Sequence, residues 1–343
     1  MKHKTVAVDI AKDVFEIAVS DKPGRVCQRR RLSRSRFLQY FTTIETSTVL
    51  MEACGSSHYW GREIQNLGHT VVLLPPHLVR PYRHRNKNDR ADAKAILEAH
   101  RNEEIHPVPI KSVEQQVLSS LHRLRSSWKD TRTARINTVR GLLRELGIFI
   151  PKGARHVVPR VQGLVEDAES GLPDALRVSL RQACLEILEL ERKMEEVEHQ
   201  LDALAQQIPA VQRLVTIPGI GLLTATALVG FIGDLRRFRS GRHFSSYLGL
   251  VPKEHSSGKI RRLGRITKRG DSYIRMLLTL GARAVLWAAG RKEHPDRLHE
   301  WALKIQKTRG HNKAAIGLAN KLARIAWAIC TQETEFRSSA VPA

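Results

Sequence analysis

An α/β domain followed by a largely helical remainder is the fold class this sequence predicts. Three observations predict it. Residues 5–102 alternate short β-rich runs with helical stretches, residues 176–208 carry an unbroken four-three apolar spacing, and residues 211–330 read as helices rich in small side chains. The chain has 343 residues, enough for two or three domains with ample core. The expected division is 1–105, 106–208, 209–332 and a flexible tail over 333–343.

Thr5–Ile10 and Val14–Ser20 are apolar β-rich runs joined by Ala11-Lys12-Asp13, and Arg25–Ser33 reads as a polar edge strand. A helix over Ser35–Thr43, a strand over Thr48–Cys54, a helix over Ser57–Leu67 closed by Gly68, and a strand over Thr70–Leu74 stopped by Pro75-Pro76 follow. Asp89–Arg101 is helical. Three strands, then strand–helix–strand, then a further helix is the RNase H-like order, with a generic three-layer α/β domain as the plain alternative. Asp9 and Glu52 stand at strand ends, and Asp89 and Asp92 sit three apart at the start of a helix. Carboxylates gathered at strand ends repel unless cations neutralise them, and divalent metal is the usual partner. With a basic surface, that points to phosphodiester chemistry.

A long basic helix is expected over 113–148, with Val117, Leu121, Leu124 and Trp128 forming its apolar stripe and Val139, Leu142 and Leu146 continuing it. Ile150-Pro151-Lys152-Gly153 ends it, and 153–173 read as a linker or short helices. In the next helix Leu176, Leu180, Ala183, Ile187, Leu190, Met194, Val197, Leu201, Leu204 and Ile208 alternate four and three, a coiled-coil pattern. Its acidic flanks suit either the basic helix as an antiparallel partner within the chain or a second subunit.

Ile217-Pro218-Gly219-Ile220-Gly221 resembles a helix-hairpin-helix turn, in which Gly219 and Gly221 would let backbone N–H groups approach a phosphate; a tight turn between packed helices fits as well. Beyond it, Lys259, Arg261, Arg262, Arg265, Lys268, Arg269 and Arg275 make a basic segment suited to nucleic acid. Within it, Ser257 precedes Gly258, which permits a positive φ and a close backbone approach. A serine hydroxyl is a weak nucleophile without help, so the chemistry alone also allows a loop that only binds phosphate. The final helices are expected over Asp296–Lys307 and His311–Cys330, with His294, His299 and His311 as surface or phosphate-contacting residues rather than metal ligands, and a disordered tail over 331–343.

The net charge of +23 predicts a polyanionic partner. No apolar run is long enough to span a bilayer and the N-terminus lacks a signal-peptide core, so nucleic acid is favoured over membrane and a cytoplasmic location is expected. Cys27, Cys54, Cys184 and Cys330 have no paired spacing, which argues against zinc or a disulfide framework and for reduced, mostly buried thiols. No Gly-rich phosphate loop follows the N-terminal strands, which weighs against a sugar-kinase or actin-like ATPase.

Taken together and in order, these motifs resemble the IS110/IS1111-type insertion-sequence transposases, and the resemblance spans nearly the whole chain. It is carried by Asp9, Glu52 and the Asp89-x-x-Asp92 pair, then by Pro218–Gly221, Phe244 with Tyr247–Pro252, Ser257-Gly258 and Thr267–Gly270. The resemblance implies a RuvC-like N-terminal domain whose four acids bind Mg²⁺ or another divalent metal. It also implies a helical C-terminal transposase domain whose Ser257 attacks DNA to form a phosphoserine link, the two domains forming a composite site. Ser256 is a rival for that role. The family's members work as homo-oligomers, dimers or tetramers, on donor and target DNA, guided by a structured (bridge) RNA from the element. A RuvC-like metal-dependent endonuclease or junction resolvase, with Ser257 only binding, is the alternative function.

Overall fold

The computed structural model describes residues 4–22, 25–83, 89–258, 260–293 and 295–337, with the side chains of 89–91 outside that set. The chain forms two compact units, Met1–Glu114 and Gln115–Ala343.

The first unit is built on a five-stranded sheet: β1 (Thr5–Ile10), β2 (Val14–Ser20), β3 (Gln28–Ser33), β4 (Thr48–Glu52) and β5 (Thr70–Leu74). Its order is β3-β2-β1-β4-β5, with β1, β2 and β3 antiparallel and β1, β4 and β5 parallel. This is the mixed α/β sheet expected. Alternation decides its faces. Val6, Val8, Val49 and Met51 point into an aromatic-rich layer with Phe37 and Phe41 of α1 (Arg34–Thr42) and Trp60 of α2 (Ser57–Asn66). Ala7, Ala18, Leu50 and Leu74 point the other way, onto Val79 of α3 (Pro76–Val79) and Ala93, Ile96, Leu97 and Ala99 of α4 (Asp89–His100). Small residues at Ala7 and Ala18 let α4 lie close to the sheet. Edge strand β3 is shorter than its expected Arg25–Ser33, and its Arg29, Arg30 and Arg31 are exposed, which suits a sheet edge.

In the second unit α5 (Val113–Glu145) and α7 (Asp174–Ala205) run antiparallel, as the ion pairs Arg125–Glu198, Arg132–Glu191 and Arg135–Glu186 require. All ten apolar positions of the four-three repeat are buried or half-buried. The stripe expected on α5 holds in part: Leu121 and Trp128 pack against Val197 and Leu201 of α7 and Val139 is buried, but Val117, Leu124, Leu142 and Leu146 are exposed, and Leu118, Ser119, His122, Ile136 and Leu143 are buried in their place. Two polar groups sit on that buried face because they have partners. Ser119 Oγ donates to the Gly230 carbonyl at 2.6 Å, and His122 reaches Thr226 Oγ1 at 2.9 Å and the Tyr273 hydroxyl at 3.0 Å. The stretch expected as a linker or short helices contains α6 (Val157–Glu166), whose Val157, Val161, Leu164 and Val165 join a core with Ile136, Val139, Leu180 and Ile187.

The rest is mainly helical: α8 (Pro209–Val215), α9 (Leu222–Ala227) continuing into a π-turn over Leu228–Ile232, α10 (Gly241–Tyr247), α11 (Ser272–Ala289), α12 (Arg297–Arg309) and α13 (His311–Gln332), with one β-hairpin between α10 and α11. Alanines on α13 (Ala314, Ala315, Ala319, Ala323 and Ala326) are fully buried and let α10, α11 and α12 pack closely on it. Part of the expected tail makes contacts. Phe336 N donates to Thr216 Oγ1 at 2.9 Å and its ring packs on the core, while 338–343 lie outside the described residues. Two thiols also differ from expectation, Cys27 and Cys54 being exposed. Among the described residues no helix is long and apolar enough to cross a membrane.

Candidate active site

In the first unit, β1 and β4 are parallel neighbours whose last paired residues are Val8 and Met51, so Asp9 and Glu52 follow side by side. Asp9 shares the parity of Ala7, and Glu52 that of Leu50, so both belong to the face covered by α4. Asp92 is in the first turn of α4 and is 5% exposed; Glu52 is 9% exposed. Asp89 begins α4, and its side chain lies outside the described residues. Three of the four predicted acids therefore gather at one end of the sheet.

Arg83, which sequence reasoning missed, is the cation among them. Its Nη2 donates to Glu52 Oε1 at 2.5 Å and its Nε lies 3.2 Å from Asp92 Oδ1. Burial opposes the charge on Arg83, but the bond to Glu52 and the charges of Glu52, Asp92 and Asp9 outweigh it and hold the guanidinium more firmly protonated than usual. Although Cys54, just past β4, is exposed as a residue, partial desolvation of its thiol and then the charges of Glu52 and Asp9 push its pKa up.

The donor set suits a hard divalent cation, since it consists of carboxylate oxygens alone. Asp92 Oδ1 is buried and accepts no hydrogen bond. Among the described residues, no group of three or more His, Cys, Asp and Glu side chains is yet drawn close enough to hold a metal. Glu52 and Asp92 face Arg83 instead.

The serine segment of the second unit is a β-hairpin that the sequence did not announce. β6 (Pro252–Glu254) pairs antiparallel with β7 (Leu263–Ile266), and both strands are almost wholly exposed. Its tip is a tight turn in which Ser257 and Ile260 exchange backbone hydrogen bonds of 3.2 and 3.1 Å, with Gly258 at φ 56°. Ser256 Oγ donates to Glu254 Oε1 at 2.7 Å and accepts from Arg262 N at 3.3 Å. Ser256, and then Arg261, hold the Glu254 carboxyl below the usual carboxylate range. Among the described residues the Ser257 hydroxyl has no hydrogen-bond partner.

Arg261, Arg262, Arg265, Lys268 and Arg269 are exposed around this hairpin; Lys259 lies outside the described residues. Arg275 differs from them. Its Nη1 donates to the carbonyls of Leu248 and Arg269 at 3.0 and 2.9 Å, tying the hairpin's base to α11. Asn320 of α13 adds a bond to the Leu250 carbonyl at 3.2 Å. Backbone meets backbone there: a Cβ on Gly249 would lie 2.3 Å from Arg269 O, and one on Gly270 would lie 2.1 Å from Tyr247 O. Both glycines also have φ near +70°. The exposed strands thus rest on a rigid helical base.

The Pro218–Gly221 turn is packed rather than open on one side. A Cβ on Gly219 would lie 2.7 Å from Val285 Cγ2, and Gly281 of α11 abuts the Gly219 carbonyl. Gly221 precedes α9 and has open space around its Cα. Of the three histidines expected at the surface, His311 is exposed and His294 lies outside the described residues. His299 is instead 3% exposed, with Nδ1 2.7 Å from Asp296 Oδ1 at the start of α12.

Comparison with known proteins covers both units. Residues 211–298 match the family described as Transposase IS116/IS110/IS902, and residues 6–148 match the DEDD transposase domain of IS110-type elements. The chain is 41% identical over 338 residues to a probable family 20 transposase of Pseudomonas aeruginosa, covering 98% of this chain and 99% of that one. It is 36% identical over 337 residues to the transposase for insertion sequence element IS1111A of Coxiella burnetii, covering 98% and 92%. It is 38% identical over 333 residues to the transposase for insertion sequence element IS1328 of Yersinia enterocolitica, covering 96% and 98%.

Proposed function

Because this chain belongs to the IS116/IS110/IS902 family of insertion-sequence transposases, an enzyme whose substrate is DNA, we propose that it moves its element by serine-mediated cutting and rejoining. In this reading the sheet domain is RuvC-like, as its strand order β3-β2-β1-β4-β5 with acids at the ends of β1 and β4 supports. Asp9, Glu52, Asp89 and Asp92 hold a divalent metal such as Mg²⁺. When bound, it would neutralise a DNA phosphate and polarise its oxygen. Ser257 Oγ attacks the phosphorus, losing its proton, and the departing deoxyribose oxygen takes one up. The phosphoserine diester conserves the bond energy, and attack by the hydroxyl of another strand reverses the step.

The observation that carries this reading is the contrast between the two serines. Ser256 Oγ is engaged within the hairpin, donating to the Glu254 carboxylate, which that bond and then Arg261 hold below the usual carboxylate range. Ser257 sits at the hairpin tip with Arg261, Arg262 and Arg265 close in the chain to bind phosphate and stabilise developing charge. Exposed Lys268 and Arg269 extend the phosphate-binding surface, with Lys259 beside Gly258. Gly219 and Gly221 contribute backbone donors. An element-encoded guide RNA and assembly into a dimer or tetramer complete the proposal, and the charge of +23 suits holding both nucleic acids.

The test is recombination of a marked element with trapping of protein–DNA adducts. Ser257→Ala should abolish both adduct and product, whereas Ser256→Ala should retain the adduct. Continued strand cleavage by Ser257→Ala without an adduct would transfer the chemistry to the acids alone, as in a metal-dependent endonuclease or resolvase.

A further inference from the structure

We propose that Arg83 is the internal counter-ion of the metal-free acid site and that a divalent cation loads by displacing it. This rests on the reading that the acids hold a metal. The geometry points to competition. Arg83 spans two carboxylates from different elements, at 2.5 Å to Glu52 Oε1 and 3.2 Å to Asp92 Oδ1, while the charge of Asp9 acts on it as well. Glu52 and Asp92 are 9% and 5% exposed, and two carboxylates so buried and so near repel strongly unless a cation lies between them. The oxygens that face the guanidinium, Glu52 Oε1 and Asp92 Oδ1, are among those a metal would use, and a dication and a guanidinium held that close repel and compete for them.

The position of Arg83 suits such an exchange. Its backbone N–H is bonded to Arg80 O at 3.1 Å after the short 3₁₀ turn Arg80–Tyr82. Its side chain is still 29% exposed and has a route to solvent. The Arg83 Nε atom, though ion-paired, makes no well-directed hydrogen bond, and neither does Asp92 Oδ1. That end of the fork is held by charge more than by directed bonding.

The experiment is calorimetric titration of the full-length protein with MnCl₂, together with melting of the metal-free protein. Removing a competing cation from such a site should tighten binding by about tenfold or more in Arg83→Gln. The metal-free variant should melt below wild type, and metal should restore most of the difference. Arg83→Lys keeps the charge but loses the fork, so its affinity should fall between the two; it decides the matter if Arg83→Gln does not fold. Binding by both variants no tighter than wild type overturns the proposal. Asp9→Asn separates the premise: wild-type metal affinity in that variant would defeat the metal reading itself, whereas lost binding there leaves the arginine variants to judge Arg83.

Discussion

His122 shows how a single buried side chain can carry a pH dependence. It is 1% exposed, its ring nitrogens bridge Tyr273 and Thr226, and burial followed by the charge of Arg125 lowers its pKa to about 4. The unfolded chain, with an ordinary histidine near 6.5, therefore binds the proton more readily than the folded one. Stability from this residue is complete above pH 6.5 and is lost as pH falls toward 4. A shift of this size corresponds to up to about 3 kcal/mol. Urea unfolding of wild type and His122→Gln at pH 7.5, 5.5 and 4.5 should show a variant less stable at pH 7.5 but less sensitive to acid over that window. Equal acid sensitivity would remove the histidine from the explanation. Ser257, Arg83 and His122 differ in legibility for one reason. Ser257 carries a motif with its following glycine, whereas Arg83 and His122 gain meaning from partners distant in the chain, such as Glu52 and Thr226, 31 and 104 residues away.

At the scale of elements, the α5–α7 pair separates two sources of stability. Ile187 is 1% exposed in the α5–α6–α7 core, so Ile187→Ala should cost about 2–4 kcal/mol in chemical unfolding. Glu191 pairs with Arg132 at 3.1 Å with a 42% exposed side chain, so Glu191→Gln should cost less than about 1 kcal/mol. The reverse ranking would mean that charge, not burial, holds the helices together. The α7 stripe was readable because every core position is apolar. The α5 stripe was read only in part, through Leu121, Trp128 and Val139, because its buried face also includes Ser119 and His122, which hydropathy counts as surface. The β6–β7 hairpin was invisible for a related reason: exposed strands show no apolar alternation, and their stability comes from Gly249, Gly270 and Arg275 at the base.

For the whole molecule, a charge of +23 makes DNA affinity a matter of counter-ion release. The logarithm of the affinity should fall linearly with the logarithm of salt concentration. Each phosphate contact removed should flatten the slope by about 0.9. Arg265→Ala, at an exposed hairpin position, should do so, and Arg275→Ala should instead lower the melting temperature, since its guanidinium serves carbonyls. Fluorescence anisotropy with duplex DNA at several salt concentrations, beside thermal melts, reads both. An unchanged slope for Arg265→Ala would place that residue outside the DNA contact.

What the sequence determined by itself was the class of fold and the inventory of chemical groups. Apolar strand runs, strand-end acids, a four-three repeat and a Ser-Gly in a basic segment are local signals, and local signals survive in one dimension. Tertiary structure decided which groups meet. Parallel pairing of β1 with β4 sets Asp9 beside Glu52, and the packing of α4 brings in Asp92. The return of Arg83 puts a cation among them, and the contact of Glu254 with Ser256 distinguishes two adjacent serines. Charge repulsion, desolvation and hydrogen bonding act across space, so their outcome depends on distances that chain order alone does not contain.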